Sequence, residues 1–161
     1  MKKTLLIIFV LVAGLSLNAH AQATATGLMD VRNKLLKESQ EIKALLLDTK
    51  DMILVSSMVD SCILTTSQLD AYFSQLGIFN TIKKDDVTPA AINFLEQWLN
   101  GIKSTNDLNI KSLNAFTSDA SSKQAKTKLH LERLTGYFTD LNTQIDQELA
   151  QLAALKNALG I

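Results

Sequence analysis

Hydrophobic residues recur with helical spacing along almost the whole chain after residue 27, and polar residues fill the positions between them. No stretch of four or more residues alternates between apolar and polar in the way that a half-buried strand does. The pattern therefore predicts an all-α protein: an elongated antiparallel helical bundle of three long helices and one short helix, with coiled-coil-like packing.

The first predicted helix begins near Leu28 and carries a heptad repeat of apolar residues. Leu28, Leu35 and Ile42 are seven residues apart, and Glu38 interrupts the second set of heptad positions. The apolar residues of that second set are Val31, Leu45, Met52 and Val59. If it continued unbroken to Leu64, this helix would be about 55 Å long.

A break in the first helix is predicted at residues 65–67, where three poor helix formers follow one another. Ser67 and Asp70 have the spacing of a capping box, which would start the short helix. Gly77 stands where a left-handed C-cap would end it. Residues 78–88 are then expected to form a connection.

The second half of the chain predicts two further long helices. Thr88 followed by Pro89 is typical of an N-cap and a first helical residue. The apolar positions of the helix that follows are Ile92, Leu95, Leu99, Ile102 and Leu113. Asn106 and Asn109 fall in the same row, where buried amides can fix the register of helix pairing.

The last helix has the clearest heptad pattern and is expected to run from about Ser122 to Gly160, after a polar break that begins at Asn114. Glu148 is its one polar interruption, and Leu149 is expected to replace it in the core. The apolar positions are Leu131, Phe138, Ile145, Leu152 and Leu159, with Leu134, Leu141 and Leu155 between them. Its length would be about 57 Å.

The N-terminal segment has the pattern of a signal peptide. Lys2 and Lys3 precede an apolar run over residues 5–17, and a small-x-small pattern ends at Ala21. The run is about 13 residues long, whereas a membrane span needs roughly 20. We expect cleavage after Ala21, one helical domain over residues 22–161, and a location in the periplasm, in the medium or at the cell surface. Polar residues between Met52 and Leu64 argue against a later membrane span.

The sequence offers little chemistry. The chain has 16 basic and 16 acidic residues, so it has no excess of positive charge that would attract nucleic acid. His130 is the only histidine beyond the signal peptide, and no metal-binding or phosphate-binding motif occurs. His130 is expected on a helix surface, and Asp85 and Asp86 as solvated acids near a helix start. We therefore predict no enzyme, no catalytic residue, no cofactor, no metal and no small-molecule substrate.

Two further features have a structural and a functional interpretation. Cys62 is the only cysteine, so it cannot form an internal disulfide; it is a small buried hydrophobe or an intermolecular crosslink, and the first is favoured. An aromatic stretch either fills the core or forms a contact surface for a partner. The candidate contact residues are Tyr72, Phe73, Leu76, Ile78 and Phe79.

The order of segments between Met52 and Asn142 resembles a known family. The segments are MILVSSMVDS from Met52, the acidic loop before Pro89, FTSDASSK from Phe116 and KLHLERLTGYFTDLN from Lys128. This layout is similar to that of periplasmic Tra-type proteins of conjugative transposons and, more distantly, of minor pilus components of type IV secretion systems. The chain is shorter than that family at both ends and lacks a basic, tyrosine-rich final helix.

The resemblance implies a non-enzymatic component of a DNA-transfer apparatus that acts through helix contacts. Its expected partners are other cell-envelope proteins, such as secretion-channel or pilus components, or a second copy of this chain. The alternative is a periplasmic helical adaptor or chaperone that binds client proteins.

Overall fold

The computed structural model describes residues 25–47, 52–118 and 125–160, and these are almost entirely helical. No strand occurs in the described ranges, so the prediction of an all-α helical bundle is confirmed. The predicted signal peptide, residues 1–21, lies outside them. The helices are α1 (residues 25–43), α2 (Met52–Phe79), α3 (Pro89–Ser118) and α4 (Ala125–Leu159), with short 3-10 helices at Ala44–Leu47 and Lys84–Asp86.

Helices α2, α3 and α4 pack in antiparallel order. In each pair of consecutive helices, residues with higher sequence numbers on one helix contact residues with lower sequence numbers on the other. The contacts that define these directions are Gln68–Thr105 and Thr65–Asn109 between α2 and α3, and Glu96–Lys156 and Asn106–Asn142 between α3 and α4. Helix α4 alone has 35 residues and is about 52 Å long, so the bundle is elongated.

Helix α1 closes the bundle by packing between α2 and α4. The Arg32 guanidinium donates two hydrogen bonds to the Asp70 carboxylate on α2, at 2.8 and 2.9 Å. On the other side, Gly27 approaches α4 closely: a Cβ at this position would lie 2.0 Å from Oε1 of Gln144. Glu38, further along α1, contacts His130, so α1 and α4 are also antiparallel.

The apolar heptad positions of α1, α3 and α4 form the core, as predicted. Fully buried members include Leu28 and Leu35 on α1, Leu95 and Leu99 on α3, and Leu141 on α4. Burial of each such side chain contributes on the order of 1.5–3 kcal/mol, which offsets much of the conformational entropy lost on folding.

Two asparagine amides of α3, of which Asn106 is fully buried, fix its register against both neighbours. Nδ2 of Asn106 donates to the Phe138 carbonyl at 2.6 Å and to Oδ1 of Asn142 at 2.7 Å, both on α4. Nδ2 of Asn109 donates to Oγ1 of Thr65 on α2 at 3.3 Å. The sequence suggests a register-determining role for both asparagines, and in the structure the helices that they align belong to the same chain.

The predicted position of the first break is wrong. The α-helix of α1 ends at residue 43, whereas α2 continues through residues 65–67 without interruption. Thr66 is tolerated there because its hydroxyl donates to the Cys62 and Ile63 carbonyls, at 2.9 and 3.0 Å, and so leaves no unpaired donor in the core. The earlier break also shifts the buried face of α2: Met52 is 60% exposed, while Val55 and Met58 are buried.

Two of the predicted helix ends agree with the structure. Thr88 caps α3 as predicted, because its hydroxyl accepts the Ala91 N–H at 3.3 Å. Gly160 follows α4 with φ 71°, in the left-handed region expected of a C-cap. Gly77, in contrast, lies inside α2, which ends at Phe79. The polar break predicted from Asn114 is helical to Ser118 and then leaves the described residues.

Helix α2 meets the length and composition criteria for a membrane span, although the polar residues between Met52 and Leu64 predict that it does not. By length and composition it could cross a membrane, with a mean hydropathy of 1.3 over its most apolar window. In the structure 44% of that window is buried within the bundle. A core helix meets the same criteria, and α2 packs here as a bundle helix.

Candidate functional site

The predicted contact residues near the end of α2 do not form one exposed surface. Tyr72 is fully buried, which contradicts its assignment to a contact surface. Phe73, Leu76 and Phe79 are half-buried and pack against the core. Ile78 is 61% exposed and is the only one of the five whose side chain is mostly open to solvent. The aromatic stretch mainly fills the core.

A more open apolar surface lies at the start of α2, where it faces α3. It forms a groove of about 640 Å³, which we call the α2–α3 groove. Its apolar lining includes Ile53, which is 84% exposed, and Leu64, which is 50% exposed. Among the described residues that line it, Asp60 is the only charged one. The heptad pattern predicts that Met52 is a core residue, whereas in the structure it is exposed and lines this groove.

Three charged side chains, Glu38, Glu41 and Arg133, meet the imidazole of His130 between α1 and α4, and we call these four residues the α1–α4 charge cluster. Nδ1 of His130 lies 2.5 Å from Oε1 of Glu38. Nη1 of Arg133 lies 3.4 Å from Oε2 of Glu41 and 4.0 Å from Oε2 of Glu38. The side chains of Glu38 and His130 are only 4% and 11% exposed, whereas those of Glu41 and Arg133 are 40% and 43% exposed.

The burial of His130 corrects the expectation that it lies on a helix surface. Both α1 and α3 cover α4, so its buried face is wider than a two-position heptad row. His130 therefore lies in the core beside Leu131 and Leu134. Glu38, which the heptad pattern treated as an interruption, is its buried partner.

The cluster also contains ligand atoms that suit a metal ion. One carboxylate oxygen each from Glu38 and Glu41, and one ring nitrogen of His130, all lie within 4.8 Å of one another. The sequence predicts no metal site, because these ligands do not form a metal-binding motif of short spacing. Glu38 and His130 are 92 residues apart, so only the folding of α1 against α4 brings them together.

A second buried carboxyl group pairs with Tyr72. The Tyr72 hydroxyl donates to Oε1 of Glu148 at 2.8 Å, and Glu148 is 2% exposed. Burial raises the pKa of Glu148, and the hydrogen bond from Tyr72 only partly opposes this shift. Burial, assisted by the Glu148 carboxylate, also raises the pKa of Tyr72. The heptad pattern had placed Leu149 in the core instead, but Glu148 keeps that position because Tyr72 on α2 supplies a donor.

We expect Glu148→Gln to stabilise the protein increasingly as pH rises. Glu148 has a raised pKa, so wild-type stability falls as pH rises from the ordinary value of 4.5 through the raised one. Glutamine still accepts the Tyr72 hydrogen bond but cannot ionise. The difference should reach about 1–3 kcal/mol, because Oε2 of the ionised Glu148 is buried without a hydrogen-bond partner among the described residues.

Urea unfolding of both proteins between pH 4 and pH 8 measures this difference. Glu132→Gln, at an exposed position of α4, serves as the matched control and should behave as wild type at every pH. A constant difference between Glu148→Gln and wild type across the range would contradict the prediction.

Cys62 has the environment of a buried structural residue. It is fully buried in α2, and burial, together with the carboxylate of Glu38, raises its pKa to about 12. The thiol therefore stays protonated and inaccessible, which favours the buried-hydrophobe interpretation over a crosslink. Asp85 and Asp86 are exposed in the short 3-10 helix before α3.

These features define the class of the protein as an all-α antiparallel four-helix bundle with polar pairs in its core and an apolar groove on its surface. No protein-family model matches the chain, and no curated protein or solved structure matches it either.

Proposed function

We propose that this protein is an exported, non-enzymatic component of a conjugative type IV secretion apparatus that binds another cell-envelope protein through the α2–α3 groove. The exposed apolar lining of this groove is the observation that supports binding. The signal-peptide pattern supports export, and the order of segments from Met52 to Asn142 supports the DNA-transfer apparatus.

The groove has the dimensions and chemistry to bind a helix. Ile53 and Leu64 are 11 residues apart on α2, which corresponds to about 16 Å or three helical turns. An amphipathic partner helix with apolar residues at spacings of three and four would cover both side chains. Asp60 lies between them and favours a partner that carries a basic residue at that level. Each Å² of apolar surface covered contributes roughly 25 cal/mol.

The alternative function is that of a periplasmic helical adaptor or chaperone. The same groove would then hold apolar segments of many clients, and the serines of its lining would tolerate different sequences. The two functions differ in selectivity: an apparatus component binds one or two defined envelope proteins, whereas a chaperone binds many unrelated ones.

Site-specific photocrosslinking in cells that carry a complete transfer apparatus tests the proposal. A photoreactive residue at position 53 should crosslink to a secretion-channel or pilus protein, and Leu64→Asp should reduce the yield at least tenfold. The matched control is a photoreactive residue at Leu129, an exposed apolar position on α4, which should give no such product.

The outcome also decides between the two functions. Many unrelated products from position 53 would favour the adaptor. Equal yields from positions 53 and 129 would contradict binding in the groove. Circular dichroism of Leu64→Asp should match wild type, because this side chain is half-exposed and its replacement leaves the core intact.

A further inference from the structure

The α1–α4 charge cluster has no role in the proposed function, since it lies between different helices from those of the α2–α3 groove. We propose that it is a divalent transition-metal site, suited to Zn²⁺, in which Nδ1 of His130 and carboxylate oxygens of Glu38 and Glu41 bind the ion. The ion would join α1 to α4.

The distances between the ligand atoms are close to those that a zinc ion requires. Bonds of about 2.0–2.2 Å to nitrogen and oxygen place neighbouring ligands in a tetrahedral site roughly 3.4 Å apart. The three ligand atoms lie within 4.8 Å of one another, and Oε1 of Glu38 lies 2.5 Å from Nδ1 of His130. Small rotations of these side chains bring all three to binding distance. The fourth position is left for water, as in zinc sites with three protein ligands.

The donor types favour a transition metal over calcium or magnesium. Imidazole nitrogen suits zinc and its neighbours in the first transition row, whereas calcium and magnesium prefer sites made of oxygen alone. Two carboxylates and one neutral imidazole balance the charge of a divalent ion. Glu38 and Glu41, three residues apart, lie on the same side of α1 and can bind one ion together.

The fold holds the ligands in place and leaves a route for the ion. Leu35 and Ile42 anchor α1 in the core on either side of Glu38, and Leu131 and Leu134 anchor α4 beside His130. The backbone positions of Glu38 and His130 are therefore fixed before binding. The side chain of Glu41 is 40% exposed, so an ion can reach the two buried ligands from this side.

Arg133 is the residue that competes with the metal. Its guanidinium lies 3.4 Å from the Glu41 carboxylate and 4.0 Å from the Glu38 carboxylate. It therefore supplies the positive charge that a bound ion would supply instead. Because its side chain is 43% exposed, it can turn towards solvent when an ion enters. This competition distinguishes a metal site from a set of ion pairs. Removal of Arg133 should increase the affinity for the metal, whereas in a cluster held only by ion pairs it would reduce the stability of the cluster.

The test uses the full chain without a histidine tag and with His20→Gln, so that His130 is the only imidazole. Zinc chloride is titrated by calorimetry, and the imidazole nitrogens are followed by ¹⁵N NMR. We expect one zinc per chain and a large shift of the Nδ1 resonance of His130. Glu41→Gln should weaken binding at least tenfold, Arg133→Gln should tighten it severalfold, and the control Glu132→Gln should leave it unchanged.

The Glu41 and Arg133 variants keep the test decisive because both side chains are partly exposed and their replacement leaves the core intact. An unchanged His130 resonance at saturating zinc would overturn the proposal. Equal affinities of wild type, Glu41→Gln and Glu132→Gln would show adventitious surface binding and would also overturn it. Neither result would affect the groove, which is tested at Ile53 and Leu64.

Discussion

Leu141→Asp should unfold the bundle. Leu141 is fully buried in α4, so the aspartate would place a carboxylate in the apolar core of the bundle. Burial of an unpaired charge, together with the loss of the leucine contacts, costs more than about 4 kcal/mol. Domains of this size are stable by only about 5–15 kcal/mol. Circular dichroism at 222 nm during thermal melting should show a lost or strongly lowered transition.

The control for this variant is Asp85→Asn, which changes an exposed residue in the connection before α3. It should melt as wild type does, because surface substitutions of this kind usually change stability by less than about 0.5 kcal/mol. A Leu141→Asp protein with the melting curve of wild type would show that the assigned core face of α4 is wrong.

His130→Leu should destabilise the protein by about 3–5 kcal/mol, because it leaves the Glu38 carboxylate buried without its partner. The Glu38 side chain is 4% exposed, and the guanidinium of Arg133 is 4.0 Å away. The double variant His130→Leu, Glu38→Leu should recover most of this loss, since well-packed apolar residues often replace a buried ion pair at little cost. Urea unfolding in the presence of a chelator measures both effects without any contribution from metal.

The double variant is the informative comparison in this series. If its loss of stability equals the sum of the losses in the two single variants, Glu38 and His130 are not coupled. Lys128→Gln, in the exposed ion pair with Glu132 on α4, is the surface control and should change stability by less than about 1 kcal/mol.

The groove and the charge cluster were found only through the structure. The sequence shows only that Ile53 and Leu64 are apolar. Their exposure depends on which face of α2 is turned towards the core. The buried face of α2 does not follow the heptad register of α1, because α1 ends at residue 43, where the heptad pattern shows no interruption. The residues that follow, 48–51, lie outside the described part of the chain.

The sequence by itself determined the features that depend on neighbouring residues. Heptad spacing fixed the all-α class and the buried rows of α1, α3 and α4, while Thr88 with Pro89 and Gly160 fixed two helix ends through local capping. Only the tertiary structure decided whether the polar residues within those rows are buried or exposed. Glu38, Asn106 and Glu148 are buried because each meets a partner on another helix, 32 to 92 residues away along the chain. A local pattern cannot specify such a partner, because the hydrogen bond that makes burial favourable exists only after the helices have packed.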